Sequence, residues 1–136
     1  MSSIVVGIDG SDTSYRALAM AIGFALRDDG CIHACFVDHL PATASLGGLF
    51  VPVPVVANPV NDEQLARYVT EELFNARVGG DFTFCSGETC PELELLAETC
   101  KADLIVVGRS AHPHLHPGGV PRQLVSRAHF PILVVP

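Results

Sequence analysis

Asp9 stands at the exit of the apolar run 3–8. There a carboxylate can accept a hydrogen bond from a ribose hydroxyl or a base amine, or cap the helix that follows. Ser11 and Asp12 compete for that cap, which leaves Asp9 the freer group for a ligand. A single carboxylate with no partner at catalytic spacing does not make an acid/base pair. A second region has the opposite charge: after Asp103 there is no Asp or Glu, while Arg109, Arg122, Arg127 and four histidines follow. Gly118-Gly119 directly precede a helix opening Val120-Pro121, so bare backbone N–H groups and the positive helix end face the loop. That arrangement suits a phosphate. The competing reading is a tight glycine turn flanked by solvated arginines.

His112-Pro113-His114-Leu115-His116 places three imidazoles at alternate positions in the same loop. Imidazoles bind zinc or nickel, but structural zinc takes four ligands and no Cys or acid is near in sequence, so no metal is assigned. A solvated loop, or a protonated lid over an anionic ligand, are the competing readings. The five cysteines are Cys31, Cys35, Cys85, Cys90 and Cys100. Cys31 and Cys35, at an even spacing on one strand, read as buried apolar thiols. Cys90 lies near a helix start, where the positive end would lower its pKa. No Ser-His-Asp set or Lys-bearing phosphate loop is visible, and Lys101, the only lysine, falls at the far end of its strand.

The elements that must position these groups alternate. Apolar, β-branched runs at 3–8, 31–37, 81–85, 103–107 and 131–135 read as strands. Helices are expected at 61–78, at 119–128 and in the segment after Ser11, where Ala17, Leu18, Ala21, Ile22, Ala25 and Leu26 draw one face and Gly30 stops the helix. The 61–78 helix carries Leu65, Tyr68, Val69, Leu73 and Phe74 as its stripe. A further helix spans 89–100, with Thr89 and Glu92 as a capping box and Pro91 in the first turn. Strands alternating with helices give a doubly wound α/β fold with a parallel sheet. Its ligand loops are those after the first and fourth of these strands, 7–14 and 108–119. The uncharged stretch 40–60, rich in Pro and Gly, reads as a long loop. It is too apolar for open water, and either folds over the crevice or joins a dimer surface.

At 136 residues the chain suits one domain, 1–136. Hydrophobic residues make up 49% against 17% charged, enough for a core and too little charge for a disordered chain. The net charge of −7 opposes affinity for nucleic acid or anionic membrane. The prolines at 41, 52, 54 and 59 exclude a membrane span from the longest uncharged stretch. An odd cysteine count with no leader pattern before Ile4 leads to the expectation of a reducing, cytoplasmic location.

The segment Val5-Val6-Gly7-Ile8-Asp9-Gly10-Ser11-Asp12-Thr13-Ser14 followed by Ala17-Leu18, then Asp103-Leu104-Ile105-Val106-Val107-Gly108, then Pro131-Ile132-Leu133-Val134-Val135, together resemble the universal stress protein family over essentially the whole chain. The resemblance implies a Rossmann-like, adenine nucleotide alpha hydrolase-like sheet of order 3-2-1-4-5. It also implies a homodimer pairing the last strands, and a stress-response role without catalysis beyond at most a slow ATPase.

One branch of that family binds ATP, with Mg2+, through a G-x2-G-x9-G-[S/T] loop. Here Gly108 matches the first glycine, but Ala111 stands at the second, and direct counting puts Pro121 and Arg122 at the last two positions. Aligning from the closing strand instead puts Gly118 and Gly119 there, with three residues missing from the loop. This second alignment is preferred because a loop deletion costs less than shifting a helix and a strand. The resemblance then carries Asp9 and Val37 to the adenine and ribose side, and Gly108, Gly118, Gly119 and Val120 to the phosphate side. Gly7, Ile8, Val107 and Arg109 complete the two strand ends, with Arg109 supplying compensating charge. Ala111 and the missing hydroxyl at Gly119 each remove on the order of 1 kcal/mol, together about tenfold or more in ATP affinity. The alternative expectation is a dimer of the same family that has lost ATP and acts through protein–protein contacts.

Overall fold

The chain runs β1 (Ser3–Gly7), α1 (Asp12–Asp28), β2 (Cys31–Asp38), β3 (Thr43–Leu46), β4 (Leu49–Pro52), α2 (Pro59–Ala76), β5 (Gly79–Ser86), α3 (Thr89–Thr99), β6 (Leu104–Gly108), α4 (Val120–Arg127) and β7 (Ile132–Val135) in a computed structural model. The structure describes residues 1–38, 43–46, 49–52, 59–109, 119–127 and 129–136. Five strands form one parallel sheet in the order β5-β2-β1-β6-β7, which is 3-2-1-4-5 when these five are counted alone.

β1 and β6 are continuous apolar runs because they lie inside the sheet with helices on both faces, and alternate residues feed two cores. Ile4, Val6, Ile32, Ala34 and Val106 pack under α1 and α2, against Ala17, Leu18, Ala21, Leu65, Val69 and Leu73. Val5, Cys35, Val37, Ile105 and Val107 pack under α3 and α4, against Cys90, Leu93, Ala97 and Leu124. Among the described residues, no helix is long and apolar enough to cross a membrane.

Four local expectations are corrected. The stretch 40–60 contains the antiparallel hairpin β3-β4, in which Leu46 pairs with Leu49. Gly47-Gly48 between two apolar runs is a hairpin signal, and Pro52 is tolerated because it sits at a strand end. In α2 the buried stripe is Leu65, Val69 and Leu73, four residues apart. Phe74, one residue and about 100° further round, is 80% exposed. α1, expected to be stopped by Gly30, ends one residue earlier, at Asp29, which takes the left-handed conformation (φ 49°). Gly30 is needed instead for close approach, since a Cβ there would strike the backbone and hydroxyl of Ser2. In α3, Glu88 is the N-cap without a side-chain bond, so Thr89 is already helical and closes no capping box.

Gly23 lies inside α1 with nothing within 4 Å of an added Cβ. Gly23→Ala is expected to stabilise by about 1 kcal/mol, read as a thermal midpoint raised by about 3 °C.

Candidate functional site

From β1 the chain passes through α1 to β2 on one side, whereas β6, reached through α3, pairs with β1 on the other. The carboxyl ends of β1 and β6 therefore diverge at the switch point where doubly wound sheets bind ligands. The ladders hold to the last residue: Ile8 N donates to Cys35 O at 2.9 Å and Arg109 N to Val135 O at 2.7 Å.

The crevice is polar and cross-linked. Asp9 Oδ1 accepts from Ser11 N at 2.9 Å and from the Ser11 hydroxyl. Ser11 caps α1 by accepting from Ser14 N at 3.3 Å, and lies 3.2 Å from the Thr13 hydroxyl. Thr13 Oγ1 in turn donates to Arg109 O at 2.8 Å, tying the loop after β1 to the end of β6. The expectation that Asp9 is free thus holds for one oxygen only. Ser11 performs the capping but also uses Asp9 Oδ1, and Oδ2 has no partner among the described residues.

The other expected positions fall as follows. Ile8, Val37 and Val107 have buried side chains, so only their backbone is available at the strand ends. Gly7 and Gly108 are half-buried, and Arg109 is exposed beside the crevice. A Cβ on Gly108 would lie 2.5 Å from Thr13 C and 2.7 Å from Ser14 N, so the first turn of α1 packs on this glycine whatever occupies the crevice. Gly119 stands at the start of α4, its carbonyl accepting from Gln123 N at 3.1 Å, with Val120 as the first helical residue. Gly118 and the histidines His112, His114 and His116 lie outside the described residues.

These groups fit a nucleotide in kind: an acceptor for a sugar hydroxyl at Asp9, a guanidinium at Arg109, and a helix start at Gly119. Among the described residues no three His, Cys, Asp or Glu side chains converge on a metal position. Ser11 and Thr13, which hold the crevice together, were not expected as site residues. Their only sequence signal is a pair of hydroxyls just after an apolar strand.

Cys90 departs from expectation. It is 1% exposed, and its thiol donates to Val120 O at 3.5 Å, joining the starts of α3 and α4. Burial pushes its pKa up, with the nearby Arg127 lowering it only in part, so burial outweighs the helix end that was expected to activate it.

The Universal stress protein family model matches residues 1–136. A universal stress protein of Mycobacterium tuberculosis is 33% identical over an alignment that covers 96% of this chain and 43% of that protein; the chain spans less than half the length of this relative. Among solved structures, a universal stress protein in complex with cAMP superposes with a TM-score of 0.73 at 22% identity, over 99% of this chain and 97% of that one. A universal stress protein from Archaeoglobus fulgidus in complex with dAMP gives 0.71 at 19% identity, over 100% and 98%. Taken with the family match over every residue, the five-strand order and the loops at its switch point identify this chain as a member of the universal stress protein family.

Proposed function

We propose that this chain is a non-catalytic adenine-nucleotide-binding module that takes ATP, with Mg2+, and acts as a cytoplasmic homodimer in stress adaptation. The observation that carries the reading is the switch-point geometry: Asp9 Oδ2 without a partner among the described residues on one side and the Arg109 guanidinium exposed on the other. Gly7, Ile8, Val37 and Val107 shape the strand ends, and Gly108, Gly118, Gly119 and Val120 form the phosphate side. Support comes from the solved relatives that hold cAMP and dAMP. Ser11 and Thr13 spend their hydroxyls on structural bonds, which suits holding a ligand over cleaving it. Ligand contact with the loops after β1 and β6 would alter the dimer or a partner surface.

The dimer reading has its own observation. β7 is an edge strand, and Val134 on it is 36% exposed. An apolar edge of this kind is a ready template for strand pairing.

Thermal unfolding of EDTA-treated protein, with and without magnesium and ATP, ADP, AMP or cAMP, tests the proposal. At a hundred times the dissociation constant, a bound nucleotide adds about 2.7 kcal/mol, raising the midpoint by several degrees. Asp9→Asn keeps an acceptor for Ser11 while replacing the unpartnered oxygen by an amide. Affinity is expected to fall by about tenfold with the ligand-free midpoint little changed. A protein that no nucleotide stabilises would instead be the interaction dimer, recognised by its doubled mass in solution.

A further inference from the structure

At the opposite end of the sheet, where the strands begin, three side chains form a relay that the nucleotide reading does not use. Cys31 Sγ lies 3.6 Å from His33 Nε2, two residues along the same face of β2. His33 Nδ1 lies 3.0 Å from Asp81 Oδ1 on the neighbouring strand β5, where His33 and Asp81 are paired in register. With Nδ1–H donated to the carboxylate, Nε2 is the bare nitrogen and faces the thiol. The order thiol, imidazole, carboxylate is the one that activates a nucleophile. The imidazole is 19% exposed and Cys31 is half-buried, so a small reagent can reach the sulfur.

A second thiol adjoins the relay. Ser3 is the register partner of Cys31, and its hydroxyl donates to the carbonyl of Cys100 at 3.2 Å, bringing the end of α3 to the start of β1, the strand beside Cys31. Burial, with the negative charges of Asp81 and Cys31, pushes the Cys100 thiol up, so it stays protonated while Cys31 reacts. Two of the competing thiols are restrained. Cys35 is buried, its Sγ donates to Cys85 Sγ at 3.3 Å, and its pKa is driven upward by burial and by that neighbour. Cys90 is buried and likewise raised.

We propose that Cys31 is a hydroperoxide-reactive thiol, with His33 as its base, Asp81 as the positioning residue and Cys100 as the resolving thiol. His33 Nε2 takes the Sγ proton and the sulfur attacks one peroxide oxygen. The S–O bond forms as the O–O bond breaks, and the leaving hydroxide recovers the proton from the imidazolium as water. Sulfur loses two electrons and the peroxide gains them, giving a sulfenic acid. The Cys100 sulfur then attacks the Cys31 sulfur, its proton leaves with the hydroxyl as a second water, and a disulfide joins β2 to the end of α3.

The test is peptide mapping of the reduced protein after graded hydrogen peroxide, with dimedone to trap sulfenic acid. Cys31 is expected to oxidise at least tenfold faster than Cys85 or Cys90, ending in a Cys31–Cys100 linked peptide. Cys100→Ser should leave a dimedone adduct on Cys31, and His33→Gln should slow Cys31 oxidation about tenfold. Oxidation that begins at another cysteine of the unaltered protein, or a linked peptide joining Cys35 to Cys85 instead, overturns the proposal without reference to any variant.

Discussion

Gly108→Val is expected to lower the thermal midpoint by about 10 °C, corresponding to a loss of about 3 kcal/mol for a domain of this size. The cause is contact with backbone. Even the first carbon of a side chain at Gly108 would sit 2.5 Å from Thr13 C and 2.7 Å from Thr13 O and Ser14 N. None of these is the movable end of a side chain, and Ser14 is itself buried and bonded to Ser11 O at 2.8 Å. The first turn of α1 must therefore lift from the end of β6, stretching the Thr13–Arg109 bond that closes the crevice. Differential scanning calorimetry checks the stability, and nucleotide titration of the same variant is expected to show binding lost with it. A midpoint within 2 °C of the parent would mean that α1 can shift freely, which the Ser11–Asp9 bonds oppose.

Leu124→Ala is expected to cost about 3 kcal/mol. Of the eight residues of α4, Leu124 is the one buried, at 0% exposure, and it packs into the core formed by Val5, Cys90, Leu93 and Val107. The remaining ties are weaker. Arg127 Nη1 reaches Glu94 Oε2 at 3.2 Å and His129 Nδ1 reaches Glu94 Oε1 at 3.5 Å, with Arg127 and His129 both substantially exposed and so screened by water. Removing Leu124 thus loosens α4 ahead of the rest, and with it Gly119 and Val120 at the phosphate side of the proposed site. Hydrogen exchange should show protection lost first in 120–127, accompanied by a midpoint lowered by about 10 °C. Leu124→Met conserves volume and is expected to cost less than about 1.5 kcal/mol. Equal losses in the two variants would place the energy of α4 elsewhere than in this contact.

Much of the fold was legible along the chain because its signals are local. The apolar run of β1 and the three-to-four spacing of Ala17, Leu18, Ala21, Ile22 and Ala25 each follow from the period of one element, and their alternation dictates a parallel sheet. The errors arose where neighbouring signals conflict. Phe74 adjoins a buried stripe without belonging to it, the hairpin of β3 and β4 is framed by prolines, and Asp29 and Gly30 both suit a helix end.

The candidate site divides along the same line. Asp9, Gly108 and Arg109 could be picked out because strand ends in a doubly wound sheet carry ligand loops, a rule that needs only the order of elements. That Asp9 has one oxygen engaged, that Thr13 reaches Arg109, and that Gly108 answers to α1 could not be read from the sequence, since Thr13 and Arg109 are 96 residues apart. Cys31, read as an inert core thiol, acquires an imidazole from its own strand and a carboxylate 50 positions further on. Cys90, read as activated, is disarmed by burial. The sequence by itself determined the class of fold, the family and the end of the sheet where a ligand belongs, because periodicity and turn chemistry act within a few residues. The tertiary structure alone decided which polar groups are spent, which thiols are shielded and which meet a base, because those properties depend on distances that only packing sets.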